Sequence, residues 1–177
     1  MQQGHSTRRE IIGSAGAALA LLLPAENRAS QEMAAPAWAK RFFNLYTNAA
    51  GEAAMRQVPF PEQGDGDTSR LLRHSAARVT IGSISPEFVY DWHVANQPNL
   101  LIPIFGTLVV ELRDGSRFEL IRGDILFAED CTGSGHLSGA TRDGYFGVSV
   151  QLDKSFCTAA GDSYLDELLG GSSEKPL

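Results

Sequence analysis

The chain has 177 residues, 15 of them basic and 21 acidic, for a formal net charge of -6. That balance, with no stripe of clustered Lys and Arg, excludes a nucleic-acid surface and adhesion to an anionic membrane. A 43% hydrophobic share with 18 glycines fits one globular domain rich in turns, which points to an all-β class.

Residues 1–30 read as an export signal and linker. Arg8 and Arg9 precede a weakly apolar run from Ile11 to Leu23, the layout of a basic region followed by a short hydrophobic one. The paired arginines resemble a twin-arginine export signal, which implies a periplasmic or extracellular location. The run is shorter than the roughly 20 apolar residues of a spanning helix, so no stable membrane insertion is expected unless the signal is retained. Pro36–Asn48 carries aromatic residues at partly helical spacing and reads as a short helix leading into the first strand. Gln57–Pro61 reads as an extended piece, and Gln63–Thr68 as a polar loop.

From Arg78 onward the text turns to short strands. Arg78–Ile84 alternates, Ser85-Pro86 breaks it, and Glu87–His93 alternates again. Leu100–Phe105 and Thr107–Arg113 read as two strands parted at Gly106. Asp114-Gly115 is a hairpin turn signal, and Ser116–Ile121 follows. Arg122-Gly123-Asp124 is a second turn, then Ile125–Ala128 is a strand. Cys131–Gly139 reads as a glycine-rich loop, with Gly133 and Gly135 supplying positive φ. In Gly144–Leu152, Tyr145, Gly147, Ser149 and Gln151 alternate with Phe146, Val148, Val150 and Leu152. Asp162–Leu169 reads as an amphipathic helix capped by Asp162, before a mobile tail. Cys131 and Cys157 match no zinc or redox spacing and read as unpaired small hydrophobes; a disulfide is the alternative in an oxidising compartment.

Two histidines on separate strands, His93 and His136, are placed to face one pocket inside a small barrel, where every second side chain points inward. Imidazole suits such a site because it binds metals and exchanges protons near neutral pH. His74, in an arginine-rich stretch, reads as a surface residue.

The segment Asp91-Trp92-His93-Val94-Ala95-Asn96-Gln97-Pro98-Asn99, with Gly106 after it, resembles the first motif of the cupin superfamily. Gly123-Asp124 and His136 resemble the second. The Trp92-His93 pair, the Asp130-Cys131-Thr132-Gly133-Ser134-Gly135-His136 loop, and Leu45-Tyr46-Thr47 with Gly51-Glu52 are similar to a branch of small single-domain cupins. That branch has no well-established shared activity. The resemblance covers roughly residues 42–152 and implies an all-β, single-domain jelly-roll barrel at 31–160. Short helical segments flank it, the C-terminal one within 161–177. In register, His93 and His136 take two ligand positions of a cupin metal site, while Ala95 and Asn99 stand where a histidine and a glutamate are usual. The resemblance therefore implies at most a divalent transition metal on an incomplete ligand set, with Glu129, Asp130, Asp91, Asn99 or Cys131 as further donors.

The expected function is binding and transformation of a small molecule, of lyase, isomerase, cyclase or oxygenase type. His93, His136, Glu129 and Asp130 are the candidate catalytic residues, and Tyr90, Trp92, Asn99 and Phe105 the candidate substrate contacts. A non-catalytic binding module and an interaction domain with a degenerate site are the alternatives. By analogy with cupins, a homodimer is expected through Phe42–Tyr46.

Overall fold

The computed structural model describes residues 40–60 and 73–170. The export-signal segment, the Trp38 region, the Gln63–Thr68 loop and the tail lie outside those residues. Eight strands carry the fold: β1 (Arg41–Thr47), β2 (Ala53–Val58), β3 (Arg78–Ile84), β4 (Val89–His93), β5 (Asn99–Glu111), β6 (Arg117–Leu120), β7 (Asp124–Ala128) and β8 (His136–Gln151). A 3-10 turn at Lys154–Phe156 and helix α1 (Tyr164–Gly170) close the described chain. No helix among the described residues is long and apolar enough to cross a membrane.

The strands form one sheet in the order β2-β1-β7-β5-β8-β3, with β4 paired to β8 and β6 to β5. All pairings are antiparallel except β1 with β7. The all-β class is as read from the sequence, but the two ends of the hydrogen-bonded path, β2 and β3, are not joined. The sheet curls around a cavity without closing into a ladder-complete barrel.

The segment read as a helix around Phe42–Tyr46 is β1. Phe43 and Leu45 belong to the main core with Leu108, Val110, Leu120 and Leu126. Phe42, on the opposite face, packs with Val58, Phe127, Leu152 and Leu165. A strand buried on both faces is apolar on both, so its two-residue period vanishes from the sequence. Phe42, Phe43 and Leu45 are buried within the chain itself. Each fully buried Phe or Leu here contributes about 1.5–3 kcal/mol by leaving water.

Two strands run through sites read as breaks. Leu100–Phe105 and Thr107–Arg113 form the single strand β5, with register shifts between Pro103 and Phe105 and between Gly106 and Leu108. Gly106 has φ 71°, and a Cβ there would overlap the Gly144 carbonyl oxygen. The glycine therefore lets two bent strands touch rather than ending one. Likewise the glycine-rich loop stops at Gly135, and Leu137–Gly139 already belongs to β8.

The C-terminal segment is fastened across the outer face of β1 and β7. Cys131 and Cys157 form a disulfide with Cα atoms 5.7 Å apart, which corrects the reading of them as unpaired hydrophobes. Burial gave the right residue type for either state, and only the three-dimensional approach distinguishes them.

Candidate functional site

A cavity of about 560 Å³ opens inside the curled sheet, lined from β3, β4, β5, β7 and β8. That volume lies within the range of small-molecule sites. Its floor is apolar: Leu101, Leu108, Val110, Leu126 and Ala128. His93 and His136 share its wall. They are direct cross-strand partners between β4 and β8, and their ring centroids lie 4.4 Å apart at 55°.

Each imidazole is held by its Nδ1. His93 Nδ1 lies 2.6 Å from the Asp91 carbonyl oxygen. A carbonyl only accepts, so Nδ1 carries the proton, and Nε2 is the unprotonated nitrogen of the neutral ring. Nε2 lies 3.4 Å from the Ser138 hydroxyl. His136 Nδ1 lies 2.6 Å from Asp130 Oδ2. Its Nε2 has no hydrogen-bond partner among the described residues. Both rings are thus oriented in one sense, with the basic nitrogen left for the cavity.

Asp130 is completely buried, and its Oδ1 has no hydrogen-bond partner among the described residues. Burial holds its carboxyl above the ordinary carboxylate range, and the His136 hydrogen bond pulls the other way. Its backbone carbonyl accepts the Ala95 N–H at 3.1 Å, tying the segment after His93 to the loop before His136.

The loop Cys131–Gly135 is seated on the β1–β2 hairpin. The Thr47 hydroxyl donates to the Thr132 carbonyl at 2.9 Å, Ser134 N–H donates to the Gly51 carbonyl at 3.0 Å, and Ala53 N–H donates to the Ser134 hydroxyl at 2.9 Å. Gly135 has φ 65°, and a Cβ there would overlap the His93 carbonyl oxygen. Glycine at this position is what lets β8 begin directly against β4, so that the two histidines meet.

The structure redistributes the other expected site residues. Tyr90 and Asn99 line the cavity. A register shift between Tyr90 and His93 puts both on the inner side, which strict alternation would not. Trp92 is outside the cavity lining, stacked under the Arg113 guanidinium at 3.6 Å. Phe105 sits at the bulge of β5, 65% exposed and away from the cavity. Glu129 is buried but points to the opposite side of the sheet. Its carboxyl accepts from Asn44 Nδ2 at 2.8 Å, the Ser163 hydroxyl at 2.6 Å, Tyr164 N–H at 2.7 Å and Leu165 N–H at 3.3 Å. It is the anchor of helix α1, and strand alternation is the reason: Ala128 lines the cavity, so Glu129 faces away. Ser163, not Asp162, caps that helix, its hydroxyl accepting from Asp166 N–H at 3.3 Å.

The cavity also takes polar residues that the sequence reading did not assign to it. Tyr145, Ser149 and Gln151 line the cavity from β8, while Phe146 faces out at 39% exposure. The alternation was visible in the sequence, but a polar strand face ordinarily means solvent, and here it means pocket. His74 is not a free surface imidazole: Nδ1 bonds to the Ser75 carbonyl at 2.8 Å and Nε2 lies 2.9 Å from the Tyr164 hydroxyl.

The donor set does not fit a resident divalent transition metal. Ala95 lines the cavity without a donor atom, and the Asn99 Oδ1 already accepts the Ser149 hydroxyl at 2.7 Å. Asp91 is outside the cavity lining and its carboxyl accepts the Trp92 N–H, Asp130 gives its carboxyl to His136, and Cys131 is in the disulfide. No group of three or more His, Cys, Asp or Glu side chains among the described residues is placed to hold a metal ion. Two imidazoles fall short of the three or four ligands of protein transition-metal sites.

No protein-family model matches the chain, and no curated protein matches it. Among solved structures, the chain is similar to a Cupin 2 conserved barrel domain protein from Salinispora arenicola CNS-205, at 15% identity and a TM-score of 0.36, over 52% of this chain and 70% of that one. It is also similar to protein NMB1881 from Neisseria meningitidis, at 15% identity and a TM-score of 0.34, over 46% of this chain and 89% of that one. Fold and site accordingly rest on this chain's own strands and side chains.

Proposed function

We propose that this is an exported, cupin-like protein that binds a small molecule in the curled sheet and transforms it by metal-free acid–base chemistry. The observation that carries this reading is the common tethering of the two imidazoles: both Nδ1 atoms are bound and both rings line one cavity, where the Ser138 hydroxyl lies 3.4 Å from His93 Nε2 and His136 Nε2 has no partner among the described residues. His136 is the base. The buried Asp130 carboxyl holds its ring and offsets the charge that forms when Nε2 takes a proton. The proton taken up by His136 Nε2 is returned from the same atom, and His93, its ring tilted 55° against that of His136, offers a second unprotonated Nε2 as acceptor. Proton abstraction beside a carbonyl, as in a lyase or isomerase, suits a base held in this way in a site with an apolar floor.

The Cys131–Cys157 disulfide supports export, since such bonds persist in oxidising compartments. A second copy of the chain is the proposed protein partner. Val79 and Ile81, 60% and 67% exposed, stand in register with Val150 and Val148 on the outer face of β3 and β8. Contiguous exposed apolar side chains of this kind mark interaction surfaces.

The chemistry is tested by exchange of the α-hydrogens of cyclohexanone in heavy water, followed by NMR. The expected result is exchange above the buffer rate, lost in His136→Ala and several-fold slower in Asp130→Asn. Exchange at the buffer rate, or equal rates in all three proteins, contradicts the reading.

A further inference from the structure

The geometry points to an uncharged ligand, held at the part of the cavity beyond the histidines by the Tyr145 hydroxyl together with the Asn99 and Gln151 side-chain amides. This rests on the two-histidine acid–base reading and adds the class of molecule on which it acts.

Charge comes first. No Asp, Glu, Lys or Arg side chain among the described residues lines the cavity. Asp130 stands behind His136 and is not part of the wall. An anionic or cationic group placed away from the imidazoles would lose water and gain no counter-charge, a cost that excludes it from an apolar-floored site.

Polar groups in this region are nevertheless present, and each keeps an atom without a hydrogen-bond partner among the described residues. Tyr145 is 7% exposed, lines the cavity, and its hydroxyl has no hydrogen-bond partner among the described residues. Burial pushes the Tyr145 hydroxyl up to about 12, so it stays protonated and donates. Gly147 makes its position available, because a Cβ there would overlap the Tyr145 hydroxyl oxygen. Gln151 Oε1 is buried, has no hydrogen-bond partner among the described residues and can accept. Asn99 has its Oδ1 engaged by Ser149, which leaves Nδ2 to donate.

Donors and acceptors without charge match a ketone, lactone, alcohol or amide oxygen and an adjacent O–H or N–H. Buried polar groups left without partners reject a molecule that lacks those functions, which makes these three side chains specificity-determining. The cavity, at about 560 Å³, holds a molecule of one or two rings.

The test uses two alkylating ketones that differ only in a remote charge: phenacyl bromide and 4-(bromoacetyl)benzoate. In each, imidazole Nε2 bonds to the methylene carbon as the carbon–bromine bond breaks. Bromide leaves with the electron pair, and the alkylated ring keeps its Nδ1 proton as a cation. Rates at His93 and His136 are read by peptide mass spectrometry and normalised to N-acetylhistidine. The neutral reagent is expected to label the pocket histidines about tenfold faster than the carboxylated one, reflecting the cost of an unpaired buried charge. Tyr145→Phe should slow the neutral reagent and leave the other unchanged. Gln151→Lys should reverse the preference by supplying the missing cation. Melting curves of both variants verify that they fold. Equal normalised rates, or faster labelling by the carboxylate reagent in the wild type, overturn the uncharged-ligand proposal while the two-histidine reading stands. Labelling of neither pocket histidine by either reagent overturns both.

Discussion

Asp130 experiences the largest change in surroundings of any carboxyl group in the site, from water in the unfolded chain to complete burial behind His136. Its carboxyl is raised above the ordinary range chiefly by that burial. An acid with a raised folded pKa ionises first in the unfolded chain. As pH climbs from about 4, where a free aspartate titrates, the unfolded state therefore gains on the folded one until the raised value is passed. Asp130→Asn removes this term. The stability of the wild type minus that of the variant is expected to fall with rising pH across that window and then level off. Urea melts across the acid-to-neutral range measure it, and a difference that rises with pH would mean that pairing to His136 outweighs burial. Burial as the larger effect is consistent with Asp130 Oδ1, which has no hydrogen-bond partner among the described residues.

Among the elements, helix α1 depends on a residue that belongs to the opposite end of the chain's logic. Seven residues are too few for a helix to hold by itself in water. Four donors converge on Glu129, two of them backbone N–H groups of the first turn of the helix. Glu129→Ala should cost about 2–4 kcal/mol, since it strands several buried donors at once. Amide exchange over Tyr164–Leu169 should lose protection while His93 and His136 keep their resonances. Retained protection in α1 would show that the Leu165 contacts suffice. The sequence made β3, β4 and the Asp114-Gly115 hairpin legible, because each is half-exposed or bounded by a turn. It concealed β1, whose two faces are both buried, read the bend at Gly106 as an end, and read the start of β8 as loop. The histidine pair was legible from spacing and resemblance. Trp92, Phe105 and Glu129 were misplaced because one bulge or one step of alternation decides which face a side chain takes.

For the molecule as a whole, one hairpin, one disulfide and one buried carboxyl tie the periphery to the pocket wall. The β1–β2 hairpin seats the loop that delivers His136, and the disulfide joins that loop to the C-terminal segment across a separation of 26 residues. In the chain-entropy account, such a cross-link contributes about 3 kcal/mol. Loop, hairpin and C-terminal segment thus form a rigid frame behind His136, while His93 is set by its own strand and the Asp91 carbonyl. The account turns on how these two rings are held. Nitrogen-15 NMR of His93 and His136, recorded in mildly alkaline buffer before and after addition of a chelator, reads it directly. Both rings are expected as Nδ1–H tautomers with unprotonated Nε2, unchanged by the chelator. An Nε2–H tautomer at either ring, or a chelator-induced shift at both, would contradict a metal-free pair of pocket bases.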